Sequence, residues 1–124
     1  MWPFYKKDVI DEKNMTEEEA MEVLECFYLK CCEVYEVRDK WYATSFAGYP
    51  MWELLTVGGQ TPDGKDATNP LSYVCLEAAN QLKTTQPVLA VRVWEETPQD
   101  LIDLGCRMIQ DGQANPGFFN DKTA

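Results

Sequence analysis

Leu54-Leu55-Thr56-Val57-Gly58-Gly59, then Asn69-Pro70-Leu71-Ser72-Tyr73-Val74-Cys75, then Val88-Leu89-Ala90-Val91-Arg92-Val93 is the run that decides the fold. Leu54–Val57 is short, apolar and stopped by two glycines, so it reads as a strand. Asn69 supplies an N-cap, and Pro70 takes the first helical position, where its missing N–H costs nothing. Leu71, Val74, Cys75, Ala78 and Leu82 then share one face of a helix over Pro70–Lys83. Val88–Val93 is apolar almost throughout, as a parallel strand covered on both faces must be. Strand, helix and strand in this order predict a right-handed crossover.

Downstream the pattern repeats. Thr97 caps, Pro98 starts and Asp100 supports a helix running to about Gln110, with Gly112 placed to end it. Gly117-Phe118-Phe119-Asn120 reads as a third strand. Upstream, an irregular lead-in with a short helix around Tyr5–Ile10 precedes the strongest helix signal. Thr16 and Glu19 form a capping box, and Glu17, Glu18 and Glu19 suit the positive end of the helix dipole. Losing that cap would cost about 1 kcal/mol. Ala20, Val23, Leu24, Phe27, Cys31 and Val34 make the expected buried stripe, widened by Cys26, Tyr28, Leu29, Cys32 and Tyr35. A helix apolar on most sides needs neighbours on most sides, which points to a larger assembly. The order α-β-α-β-α-β predicts an α/β fold: an arc of parallel strands with crossover helices, too few to close a barrel.

The chain has 124 residues and a formal charge of −10, from 21 acidic and 11 basic residues. That charge repels phosphate, so neither nucleic acid nor an anionic membrane is an expected partner. No apolar run is long enough to span a bilayer, and the start lacks the order of a signal peptide, so the expected location is cytoplasmic. Cys26, Cys31, Cys32, Cys75 and Cys106 are odd in number and lack metal-ligand spacing, which predicts small buried hydrophobes and no metal site. Histidine is absent, which removes Ser-His-Asp and Cys-His catalysis.

Few motifs invite chemistry. Gly59 to Lys65 has the spacing of a phosphate loop, but Asp66 stands where a Ser or Thr would hold Mg²⁺. Pro62-Asp63-Gly64 reads as a turn instead. Asp63 and Asp66 are either simply solvated, or hold a metal or act as acid and base. Arg92, a charge within an apolar strand, needs a partner: a salt bridge at the strand end, or a substrate carboxylate. Phe46, Tyr49 and Trp52 precede the first strand as core or as pocket lining.

Ala47-Gly48-Tyr49-Pro50-Met51-Trp52, Leu55 through Asn69, Leu71-Ser72-Tyr73, Gln86-Pro87 to Val91-Arg92, and Pro116-Gly117-Phe118-Phe119-Asn120-Asp121 occur in an order that resembles the glycyl radical enzymes of the pyruvate formate-lyase type. The resemblance covers essentially the whole chain, 1–124, as a partial barrel domain. It implies a large homodimer whose subunit is a ten-stranded α/β barrel. Such enzymes carry a glycyl radical installed by a radical S-adenosylmethionine activase, their activating enzyme. They act on a small-molecule substrate through a thiyl radical on a loop cysteine, as lyases, dehydratases, decarboxylases or formate acetyltransferases. The loop cysteine is expected past the Phe-Phe-Asn-Asp strand and the radical glycine further on, so neither lies in this chain. The polar tail Lys122-Thr123-Ala124 departs from the family pattern, and an artificial terminus or a frameshift is expected. The chain alone is expected to be inactive and to bind no cofactor. By the same resemblance, Phe46 and Trp52 face the substrate cavity. The alternative is a non-catalytic acidic α/β interaction module that uses its excess apolar helix face.

Overall fold

The computed structural model describes residues 1–33, 39–45 and 53–123. A short helix α1 (Trp2–Tyr5) runs into a π-helical stretch, Lys6–Asp11. The lead-in helix therefore begins earlier than Tyr5 and is wound more loosely than expected. α2 (Glu17–Cys32) and the short α3 (Lys40–Ser45) follow, then β1 (Leu54–Gly58), α4 (Pro70–Leu82), β2 (Val88–Val93), α5 (Gln99–Gln110) and β3 (Gly117–Asn120).

The three strands form one sheet in the order β1-β2-β3, and both pairings are parallel. This is the predicted arc. The register puts Val57, Val91 and Phe118 in one row and Gly58, Arg92 and Phe119 in the next. Side chains alternate across a strand. Leu55, Val57, Leu89, Val91 and Phe118 accordingly join the helices in one apolar core. Leu54 (61%) and Phe119 (52%) stand exposed on the opposite face, with Val88 between them. Among the described residues the helices pack on the first of these faces, and Ala90 is the buried position on the other.

Tyr28, Leu76, Leu89, Leu101 and Met108 are the largest fully buried apolar side chains. Burying each leucine contributes about 2 kcal/mol. The Tyr28 hydroxyl donates to the Cys75 carbonyl (3.0 Å), so α2 and α4 are joined by a buried hydrogen bond as well as by packing. Burial pushes the Tyr28 phenol well above its ordinary range. At the amino end of the sheet, the Asn115 amide accepts from Leu89 N (3.2 Å) and donates to Pro87 O (3.4 Å). A side chain here does the work of a ladder bond.

The capping box forms as read: Glu19 N donates to Thr16 Oγ1 (3.1 Å) and Thr16 N to Glu19 Oε2 (2.8 Å). These bonds to Thr16 hold the Glu19 carboxyl below its usual range. The buried face of α2 differs from the expected stripe. Ala20, Leu24, Tyr28 and Cys31 are buried, whereas Val23 (59%) and Phe27 (47%) are exposed. Val34 lies outside the described residues. With apolar groups on most sides, the positions of α4 and of the amino-terminal helical segment decide which ones are covered.

Thr97 also behaves differently from its reading. Pro98 takes the N-cap of α5, and Thr97 Oγ1 accepts from Trp94 N (2.9 Å), closing a turn one residue earlier. At the other end Gly112 has φ +87° and ends the helix as expected.

The cysteines divide into classes. Cys31 and Cys75 are buried, with burial pushing both thiols up; Cys32 is half-buried; Cys26 and Cys106 are exposed, contrary to the core reading. In the native protein a thiol reagent should label Cys26 and Cys106 at once and reach Cys31 and Cys75 only on unfolding. Mass spectrometry of the labelled peptides checks this, and native labelling of Cys75 as fast as Cys26 would contradict the core.

Candidate functional site at the carboxyl ends of the strands

In parallel α/β folds functional groups gather beyond the strands' carboxyl ends. Here that end is organised round Arg92, in the middle strand. Its Nε and Nη2 donate to Asp121 Oδ1 (2.7 Å) and Oδ2 (2.9 Å), a planar fork on a planar carboxylate. The Asp121 side chain is only 7% exposed, against 47% for Arg92. The salt-bridge reading of Arg92 is the one the structure bears out. Asp121 N also donates to Val93 O (3.0 Å), so the residue leaving β3 is held by backbone and side chain together.

β1 is fitted to the same arginine. Gly58 and Gly59 have φ +75° and +81°, and Gly59 N donates to Arg92 O (2.9 Å). A Cβ on Gly58 would lie 2.7 Å from Arg92 O, and one on Gly59 3.0 Å from Arg92 Nε. The two glycines are therefore needed for conformation and for space.

The loop that follows is a closed turn. Thr61 N donates to Lys65 O (2.8 Å), Gly64 N to Thr61 O (2.9 Å) and Lys65 N to Thr61 Oγ1 (3.1 Å). These donors are spent inside the loop and cannot cradle a phosphate, and α4 starts only at Pro70. Asp63 pairs with Lys65 (3.0 Å); bonds from Thr61 first and Lys65 second hold its carboxyl below the usual range. Asp66 Oδ1 instead accepts from Thr68 Oγ1 (3.1 Å) and Trp94 Nε1 (3.2 Å). The two acids are engaged separately and do not act as a pair. Among the described residues no cluster of acidic or cysteine side chains could hold a metal. Nor is any helix there long and apolar enough to cross a membrane.

Phe46, Tyr49 and Trp52, the residues read as pocket candidates, lie outside the described residues. Sequence reasoning missed Asp121 and Trp94 as partners. The only available signal was that each directly follows a strand.

The described residues thus form a parallel α/β arc with a braced carboxyl end. The chain belongs to the pyruvate formate lyase-like family, which it matches over residues 1–124. It is 36% identical over 122 residues to an isethionate sulfite-lyase of Nitratidesulfovibrio vulgaris, covering 98% of this chain and 15% of that protein. A solved structure describing 1,2-propanediol dehydration in Roseburia inulinivorans superposes with a TM-score of 0.93 at 36% identity, covering 98% of this chain and 14% of the other. A glycyl radical enzyme from Archaeoglobus fulgidus does so with a TM-score of 0.92 at 32% identity, over 99% and 16%. The chain thus spans about a seventh of the length of these relatives.

Proposed function

We propose that this chain forms part of the barrel wall of a glycyl radical enzyme that cleaves a C–C, C–O or C–N bond in a small substrate after hydrogen-atom abstraction. The observation that carries the reading is a near-complete superposition of this chain on a small part of such enzymes.

The described residues do not fit the radical-bearing roles. Cys26, Cys31 and Cys32 lie on α2, Cys75 on α4 and Cys106 on α5, so all five are on helices. Gly58, Gly59, Gly64 and Gly112 serve positive-φ turns, and Gly105 packs under Phe118 and Pro116. No catalytic step is therefore assigned to this chain. Its contribution is to wall and dry the cavity, with Phe46 and Trp52 holding the substrate and excluding water. The enzyme as a whole takes its radical from a radical S-adenosylmethionine activase, works as a cytoplasmic homodimer and retains the catalytic cysteine and glycine outside residues 1–124.

The test uses the full-length protein, activated anaerobically. A glycyl radical doublet in the electron paramagnetic resonance spectrum and turnover of a small substrate are expected, with no turnover from residues 1–124. Phe46→Ala and Trp52→Ala should each lower kcat/KM at least about tenfold at unchanged radical content. Turnover by the 124-residue chain, or a full-length protein that accepts no radical, would overturn the reading.

A further inference from the structure

We draw no further inference here: the strongest candidate, the apolar groove between the amino-terminal helical segment and α2 lined by Phe4, Val9, Met15 and Val23, is an unpartnered face, and nothing in the structure shows what covers it.

Discussion

Gly58→Ala is expected to destabilise the protein by roughly 3 kcal/mol, combining left-handed strain with overpacking. Gly58 ends β1 at φ +75°, a conformation that any side chain resists. The added methyl would also meet the Arg92 carbonyl at 2.7 Å, and that carbonyl is fixed by the Gly59 N–H and by its place in the middle strand. Neither group can give way without disturbing the Gly59 N–H bond to Arg92 O that closes the carboxyl end of the β1–β2 pairing. Gly64→Ala supplies the control. Gly64 has φ +78°, but nothing lies within 4 Å of the position its Cβ would take. It should therefore lose only the strain, about 1 kcal/mol. Urea unfolding of both variants beside wild type separates the two contributions. Equal losses would mean that the close approach at Arg92 is not real.

Leu101→Ala should cost about 3 kcal/mol, from lost burial and the cavity left behind. Leu101 is fully buried in the first turn of α5, between that helix and the carboxyl end of β1, where its Cδ2 lies 3.7 Å from the space a Gly58 Cβ would fill. Rigid backbone lies on one side and Leu104 and Met108 continue the buried stripe, so the site has little freedom to collapse. Ile109, on the same helix, is half-exposed, and Ile109→Ala should stay within about 0.5 kcal/mol. The unfolding midpoints of the two variants measure the contrast directly. A loss at Ile109 matching that at Leu101 would show that α5 packs by a different face.

Most of the local structure was legible before any coordinates. Val88–Val93 and Gly117–Asn120 are strands at the residues read from their apolar runs, and the Thr16–Glu19 box forms as its spacing requires. These signals are local: a cap reaches three residues, and a strand announces itself by its own side chains. Thr97 shows the limit even at short range. The same hydroxyl can cap a helix or close a turn onto Trp94, and Pro98 leaves the cap to itself.

Composition and pattern by themselves determined that this protein is a parallel α/β arc of crossover units, and the order of its motifs determined its family. Only the tertiary structure decided which face of α2 is buried: Val23 and Leu24 are both apolar, and the core formed with α4 and the amino-terminal segment covers Leu24 alone. It alone paired Arg92 with Asp121, residues 29 apart in sequence that meet because β2 and β3 lie side by side. The reason is common to both cases. Short-range patterns fix what each segment can be, whereas burial and charge pairing depend on which segment arrives next to it.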